Sequence, residues 1–390
     1  MPTLYRTPPT PLRGTVAEAV RRGEHSAPLG VIDVQAFDYN AAQMRNNANG
    51  LPIRVASKSV RSVQALRRAL SFEGFQGILA YSLPEALLLV KEGFTDIVVA
   101  YPSVDVAALQ QLSDDPTARQ HITLMVDCPE HLEHLSAPTR VAIDVDCTLH
   151  LSRAVIGPRR SPIREPEQVE ELAKHIVASG HYLVGMMAYE GHVASVPDGE
   201  VGPVGIVKRW LRTKSMEDLA PRRKACIEAA QKYADLEFIN GGGTGSITQS
   251  VDEGTLTEVA AGSGFYTPAI FDEFQNVNHR PAAFFVCQVS RNPAKGWSTV
   301  NSGGWIASGP PAADRVPVAV WPKGLSYSSM EGAGEVQTPL HGADLNVGEL
   351  VWFRHAKAGE MTEHVDYLLA VDGQQTEQWT TYRGQGWTLR

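Results

Sequence analysis

The sequence predicts an α/β fold, a (β/α)8 barrel followed by a C-terminal antiparallel β-domain, and three observations support this prediction. Between about residue 50 and residue 265, eight short apolar and β-branched runs alternate with helical segments. Eight βα units in succession fit a closed barrel better than an open sheet. After about residue 275, strand-like runs are separated by Gly, Pro and Ser clusters with little helical periodicity. A chain of 390 residues is long enough to bury the cores of two domains.

The barrel strands are predicted from short runs rich in Val, Ile, Leu and Met. In chain order they are Ile53–Ser57, Gly77–Tyr81, Asp96–Tyr101, Ile122–Val126, Val141–Val145, Tyr182–Met187, Leu236–Ile239 and Glu258–Ala261. Helical patterns between them include Val60–Leu70, Pro84–Glu92, Glu165–Ala178 and Met216–Tyr233. Residues 25–275 are therefore assigned to the barrel.

The β-domain is assigned to residues 276–390. Its predicted strands are Ala282–Val289, Val316–Val320, Leu350–Arg354 and Val365–Val371. The segment Gly30–Phe37 is predicted to be a strand that the N-terminus adds to this domain, so residues 1–37 are expected to complete it.

Composition excludes several classes of function. A net charge of −8 without a basic stripe argues against nucleic acid as a partner. No apolar stretch approaches the ~20 residues of a membrane span, and the first residues lack the apolar core of a signal peptide. The four cysteines show no CxxC spacing, which argues against a disulfide framework. We therefore expect a cytoplasmic protein without membrane contact.

The most informative motif is a glycine-rich loop directly after the seventh predicted strand. It contains Gly242, Gly243, Thr244, Gly245 and Ser246. Glycines let the backbone adopt positive φ and approach a ligand closely, and bare N–H groups with hydroxyls suit a phosphate. The spacing matches neither the P-loop nor the dinucleotide fingerprint. Two interpretations stay open, a phosphate-binding loop and a tight exit from a strand.

Other strands deliver chemically useful side chains to the same end of the barrel, where active sites of this fold lie. The first strand ends at Lys58, which is either an imine-forming nucleophile or a lysine that extends into solvent. The sixth is followed by Tyr189 and His192, and the eighth by Ser263 and Tyr266. A lysine, a phosphate loop and a Tyr/His pair are the groups that pyridoxal 5′-phosphate requires.

Two carboxylates, Asp144 and Asp146, follow the fifth strand and lie on one strand face. One of them is a candidate to orient an arginine toward the cofactor ring nitrogen. The candidate arginines are Arg153, Arg159 and Arg160. The other interpretation is a set of surface salt bridges.

Four motifs together resemble a known family. They are Arg54-Val55-Ala56-Ser57-Lys58, Ala188-Tyr189-Glu190-Gly191-His192, Gly241-Gly242-Gly243-Thr244-Gly245 and Glu258-Val259-Ala260-Ala261-Gly262-Ser263. Their order resembles that of fold-type III pyridoxal-phosphate enzymes, specifically the D-threonine aldolase and eukaryotic-type D-serine dehydratase family. The run Phe353–Glu360 is similar to that of bacterial members termed amino acid deaminase/aldolase.

The resemblance implies roles for individual residues. Lys58 would form the Schiff base with pyridoxal phosphate, and Tyr189 would contact the cofactor. The loops Gly242–Ser246 and Ser263–Tyr266 would hold its phosphate. It also implies a homodimer, with the β-domain closing the site.

A divalent metal is the uncertain part of the resemblance. In these relatives it is held by a His of the second domain and a Cys or Asp two residues later. His355 matches the first ligand, but the second position is Lys357, whose ammonium cannot bind a cation. In one interpretation Glu360 or His364 replaces the missing ligand, which predicts Mg²⁺ or Mn²⁺ before Zn²⁺. In the other, Lys357 supplies the positive charge and no metal is needed.

The implied activity is that of a lyase. It would cleave a small β-hydroxy-D-amino acid as a D-threonine aldolase does, through the Schiff base on Lys58, with His192 or a water held near His355 as the base for the hydroxyl proton. Two alternatives use the same cofactor, dehydration to a 2-oxo acid with loss of ammonia, and racemisation. A third is a non-catalytic pyridoxal-phosphate carrier, which resembles the barrel alone and would leave the β-domain without a use.

Overall fold

The structure is a computed structural model of the chain, and it describes residues 6–152 and 154–389. The strands are β1 (Leu29–Asp33), β2 (Ile53–Ala56), β3 (Phe75–Ala80), β4 (Ile97–Val99), β5 (Ile122–Val126), β6 (Arg140–Asp144), β7 (Leu149–Leu151), β8 (Ala154–Ile156), β9 (Tyr182–Met187), β10 (Phe238–Gly241), β11 (Glu258–Ala261), β12 (Ala283–Ala294), β13 (Trp297–Asn301), β14 (Val318–Trp321), β15 (Ser326–Tyr327), β16 (Gln337–His341), β17 (Leu350–Arg354), β18 (Tyr367–Asp372) and β19 (Gln375–Thr380). The helices are α1 (Thr10–Arg21), α2 (Val34–Ala48), α3 (Val63–Leu70), α4 (Leu83–Lys91), α5 (Val106–Asp114), α6 (Pro116–His121), α7 (Glu130–Glu133), α8 (Pro166–Ala178), α9 (Gly191–Ala194), α10 (Gly202–Gln231), α11 (Ile247–Asp252) and α12 (Ser263–Tyr266). None of the helices in these ranges is long and apolar enough to cross a membrane.

Eight parallel strands, β2, β3, β4, β5, β6, β9, β10 and β11, form a closed barrel. The barrel closes where β11 pairs with β2, with Val259 opposite Ile53. Every predicted barrel strand is present, to within two residues at each end. The predicted fold class is therefore confirmed, because short apolar strands between helices are typical of a parallel sheet buried on both faces.

Helix α10 is longer than the sequence predicts, since it begins at Gly202 and not at Met216. Its first turns expose Val204, Val207 and Trp210 to solvent. Pro203 and Gly205 disfavour a helix interior, so the sequence pattern did not indicate these turns. The structure has Pro203 in the first turn of the helix, where proline is tolerated.

The second domain is built on a mostly antiparallel sheet. Its strands follow the order β15-β16-β13-β12-β1-β18-β19, and β17 pairs with both β12 and β14. Strand β1, from the N-terminal segment, lies between β12 and β18. The predicted strand Gly30–Phe37 was too long. The Asp33 carboxylate accepts the N–H of Ala36 at 3.0 Å and caps α2, so the residues after Asp33 are helical.

A buried ion pair lies between the barrel strands below the mouth. The Arg54 guanidinium donates to both carboxylate oxygens of Glu258, at 2.7 and 2.8 Å, and to Asp96 at 2.8 Å. Asn240 also donates to Glu258, at 2.7 Å. Arg54 and Glu258 are each 2% exposed. This bidentate pair ties β2 to β11 at the seam of the barrel.

The β-domain covers one side of the barrel mouth through the loop after β17. Gly359 in this loop has a positive φ of 106°, and a side chain there would come within 2.4 Å of the Lys58 carbonyl. Glycine is required at this close approach. The contact places Lys357 and Ala358 over the barrel mouth.

Candidate active site

A cavity of about 480 Å³ opens at the carboxyl ends of the barrel strands. Its walls come from the carboxyl ends of β2, β3, β4, β6, β9, β10 and β11 and the loops after them, with Lys357 and Ala358 contributed by the β-domain. This is where active sites of (β/α)8 barrels lie, and the volume suits a small cofactor together with a substrate.

Lys58 lies on the cavity wall, in the 3-10 turn Ser57–Ser59 that follows β2. Its Nζ is 3.4 Å from the hydroxyl of Tyr101, a second cavity residue in the loop after β4. Sequence reasoning missed a role for Tyr101, although its place at the end of a barrel strand was a signal. Burial acts to raise the pKa of Tyr101, but the positive charges of Lys58 and Arg160 outweigh burial, and the pKa is lowered.

The glycine loop after β10 has the conformation that its sequence indicates. Gly242 has a φ of 75°, and a side chain at Gly243 would lie 3.2 Å from the ring of Tyr189. Thr244 Oγ1 accepts from Ser263 Oγ at 3.2 Å and from the Gly264 N–H at 3.1 Å, which joins this loop to the one after β11.

The donors that a phosphate needs are present at this junction. The Thr244 hydroxyl accepts two hydrogen bonds, and its own proton is left for a ligand. Within the described chain, the N–H groups of Thr244 and Gly245 donate to no other group. Gly242, Gly243, Thr244, Gly245 and Ser263 all line the cavity, as does Tyr189.

Two predicted phosphate ligands are not on the cavity wall. Ser246 is buried, with its hydroxyl donated to Glu190 at 2.8 Å and its N–H to Gly243 at 2.8 Å. The Tyr266 hydroxyl donates to the Val60 carbonyl at 2.9 Å, and burial raises its pKa. Both hydroxyls are therefore occupied within the protein, and the sequence pattern alone does not reveal this.

Behind the glycine loop lies a buried pair that sequence reasoning missed. Glu190 accepts the Gly242 N–H at 3.2 Å and an Arg223 N–H at 2.9 Å. Burial alone would raise the pKa of Glu190, but the Arg223 charge holds it below its ordinary value. Glu190 is therefore an ionised carboxylate that fixes the glycine loop from behind.

His192 lines the cavity beside the loop at Gly157. Ser215 Oγ donates to the Leu211 carbonyl at 2.7 Å, so it accepts the Nε2–H of His192 at 2.9 Å. This assignment leaves a lone pair on Nδ1, which has no hydrogen-bond partner in the described part of the chain. Burial lowers the pKa of His192, which keeps the ring neutral and able to accept a proton.

The carboxylates after β6 have separate partners. Asp144 lines the cavity with Arg160. Burial and the nearby Asp127 carboxylate raise its pKa to about 7, against the opposing effect of Arg160. Asp146 instead accepts from Arg164 at 3.3 Å, a pairing that was not predicted. The remaining candidate arginines differ in position, because Arg159 is exposed away from the cavity wall and Arg153 lies outside the described residues.

His355, the predicted metal ligand, is buried and does not line the cavity. Its ring nitrogens have no well-aligned hydrogen-bond partner among the described residues, and burial lowers its pKa to about 3. The residue that reaches the cavity is Lys357. Burial and the positive charges of Arg315 and Lys58 lower the pKa of Lys357.

Of the described residues, one group of three potential ligands brings its donor atoms together, and it lies elsewhere. It consists of Asp127, Cys128 and His131, in the turn after β5. The Asp127 N–H already donates to His131 Nδ1 at 3.3 Å, so a hydrogen-bonded turn accounts for this group.

A barrel with a lysine, a tyrosine and a glycine-rich loop around one cavity has the architecture of fold-type III pyridoxal-phosphate enzymes. The family model described as "Alanine racemase, N-terminal domain" matches residues 32–268, and the chain belongs to this family. The resemblance drawn from the sequence motifs is thereby confirmed.

Individual relatives agree with this assignment. The chain is 25% identical over 256 residues to "3-hydroxy-D-aspartate aldolase" of Paracoccus denitrificans (strain Pd 1222), an alignment that covers 62% of this chain and 60% of that relative. The chain thus spans about 60% of the length of this curated relative.

Solved structures share the fold. D-threonine aldolase from Filomicrobium marinum superposes with a TM-score of 0.77 at 19% identity, covering 92% of this chain and 95% of that chain. D-threo-3-hydroxyaspartate dehydratase from Delftia sp. HT23 gives a TM-score of 0.67 at 20% identity, covering 92% of this chain and 97% of that chain. At these identities the likeness shows the fold alone.

Proposed function

We propose that the protein is a pyridoxal-phosphate-dependent lyase that cleaves the Cα–Cβ bond of a β-hydroxy-D-amino acid. The observation that carries this proposal is that Lys58, Tyr189 and the unpaired donors of the glycine loop share one cavity. The aldolase named among the sequence relatives supports the reaction type, and its name supports a D-configured substrate.

The cofactor fits the groups that line the cavity. The N–H groups of Thr244 and Gly245 and the Thr244 hydroxyl would hold its phosphate, Tyr189 would lie beside its ring, and Lys58 would take its aldehyde. When bound, pyridoxal phosphate supplies an aldehyde that bonds to amines and a ring that takes up electrons from a breaking bond.

The protein's own residues carry the proton and orient the substrate. His192 has the free lone pair, at Nδ1, that would take the proton of the substrate β-hydroxyl. This atom is buried beside Gly157, so the loop at Gly157 is expected to shift when substrate binds. Arg160, with Asp144 beside it, would face the cofactor ring.

In this proposal Lys357, and not a metal, supplies the positive charge that attracts the substrate. The side chains around His355 do not fit the ligand set of a metal site. His355 is buried away from the cavity wall, and Lys357 takes the position of a second ligand. One Glu360 oxygen accepts the Ser308 N–H at 3.1 Å, the other has no hydrogen-bond partner among the described residues, and His364 stacks on Trp305.

The proposed oligomer is a homodimer. One surface of α10 exposes Val204, Val207 and Trp210 at helical spacing, and Ile206 and Val201 extend the patch. Exposed apolar patches of this kind mark protein–protein contacts.

The proposed location is a reducing cytoplasm, since all four cysteines are free and three of them are buried.

The test is turnover of a panel of D- and L-threonine, 3-hydroxyaspartate and serine by the protein loaded with pyridoxal phosphate. An aldehyde product supports the lyase, whereas a 2-oxo acid with ammonia, or the opposite enantiomer, would replace it with a dehydratase or a racemase. A visible cofactor band without turnover would indicate a carrier. Lys58→Ala should lose both the band and the turnover.

A further inference from the structure

Tyr101 is a cavity residue for which the proposed function has no role so far. It follows β4, two strands away from β2 around the barrel, and its hydroxyl reaches to 3.4 Å from Lys58 Nζ. Tyr189, the other tyrosine near Lys58, lies against Gly191 and Gly243 on the side of the glycine loop. Lys58 therefore has a phenol as its hydrogen-bonding neighbour on the side away from the phosphate-binding loop.

The charges around the Tyr101 ring favour the loss of its proton. Lys58 faces its hydroxyl, and the Arg160 guanidinium carbon is 5.8 Å from its ring centroid. Burial and the Asp144 carboxylate act in the opposite direction, and Asp144 is partly neutral because its own pKa is raised to about 7. Two cations therefore stabilise a phenolate in a partly buried place.

We propose that Tyr101 is a catalytic base that takes the proton from the Lys58 ammonium. One Nζ–H bond breaks, one O–H bond forms at the phenolate oxygen, and the electron pair stays on Nζ. Lys58 is then a neutral amine, which is the form that bonds to an aldehyde. The reverse transfer reprotonates Lys58 when a substrate amine has displaced it. This inference rests on the proposed function, since it assigns Lys58 the role of attaching the cofactor.

The substitution Tyr101→Phe removes only the hydroxyl. The measurement is the rate at which pyridoxal phosphate becomes attached to Lys58 of the cofactor-free protein, followed by visible absorbance and by mass spectrometry of the borohydride-reduced peptide. We expect attachment to be about tenfold slower or more near neutral pH, as for loss of a general base. The difference should close at high pH, where hydroxide can take the proton in both proteins.

The matched control is Tyr182→Phe, at the opposite end of the barrel, where the side chain is exposed. It should load as fast as the unchanged protein. Equal loading rates and equal pH profiles for Tyr101→Phe would overturn the inference. Absence of attachment to Lys58 in the unchanged protein would instead overturn the proposed function.

A second measurement tests the contact without cofactor. Tyrosine ionisation, followed by ultraviolet difference absorbance between the unchanged protein and Tyr101→Phe, should show one phenol that titrates below the ordinary range. Lys58→Met should move that titration to higher pH, because an adjacent positive charge is lost. A Tyr101 titration that is unchanged in Lys58→Met would contradict the proton exchange.

Discussion

The Glu190 carboxylate accepts a hydrogen bond from Arg223 at 2.9 Å, and both side chains are completely buried behind the glycine loop. The same carboxylate holds the Gly242 N–H and the Ser246 hydroxyl. The shape of the proposed phosphate site therefore depends on a charged pair that does not line the cavity.

Glu190→Ala should destabilise the protein strongly. Arg223 keeps Glu253 as a carboxylate partner but loses its second buried carboxylate, and the Gly242 N–H and the Ser246 and Ser250 hydroxyls lose their acceptor. Breaking a buried pair in this way costs about 3–5 kcal/mol. The free energy of unfolding in urea, measured without cofactor, checks this. Glu170→Ala is the control, because Glu170 pairs with Lys232 on the surface, and it should leave the transition unmoved. Similar urea unfolding curves for both variants would show that the Glu190 carboxylate does not stabilise the fold.

Gly243→Ala should weaken cofactor binding while the fold persists. The new methyl group would lie 3.0 Å from Ala194 Cβ and 3.2 Å from the Tyr189 ring, so the ring must move. Overpacking of this kind costs about 1–3 kcal/mol, or roughly a tenfold rise in the dissociation constant of pyridoxal phosphate. Gly14→Ala is a matched control in α1, with no atom within 4 Å of the new carbon. An unchanged dissociation constant for Gly243→Ala would argue against a cofactor beside Tyr189.

The sequence identified the barrel and most of the cavity because both depend on local patterns. Strand runs fix which residues lie at the carboxyl ends, so Lys58, Tyr189 and Thr244 were found. Ser246 was predicted as a phosphate ligand, but its hydroxyl donates to Glu190, which folding brings to it from 56 residues away. The pairing of Arg223 with Glu190 was missed for the same reason, since the two residues are 33 positions apart in the chain and lie on different elements.

His279 should make the protein less stable in acid. Burial lowers its pKa from about 6.5 to about 4, so the unfolded chain binds its proton first as the pH falls. The free energy of unfolding is therefore unaffected by this group above about pH 6.5, and it falls as the pH drops from there towards 4. Urea unfolding measured across this pH range should show that the free energy of unfolding depends less steeply on pH in His279→Gln. The same pH dependence in His279→Gln and in the unchanged protein would contradict the lowered pKa of His279.

Val207→Asp should separate the proposed dimer. Val207 is 54% exposed on the apolar surface of α10, and an unpaired carboxylate there would have to be desolvated at an interface. Sedimentation velocity should change from the mass of two chains to that of one. Val177→Asp, at a site that is 44% exposed on α8, is the control and should stay dimeric. If both variants keep the mass of two chains, the interface lies elsewhere.

Lys357→Met should impair substrate binding in the loaded enzyme. Lys357 is the cation that the β-domain brings to the cavity, and its Nζ donates to the Ser308 carbonyl at 3.5 Å. Loss of a charge-assisted hydrogen bond costs about 1.5–3 kcal/mol, so KM for the β-hydroxy amino acid should rise about tenfold or more. Lys357→Arg keeps the charge and should recover most of this loss.

Since the charge comes from a side chain, turnover should persist after exhaustive chelation, in a sample that metal analysis shows to be free of divalent metal. Loss of turnover on chelation, restored by Mg²⁺ or Mn²⁺, would show that a metal acts instead of Lys357.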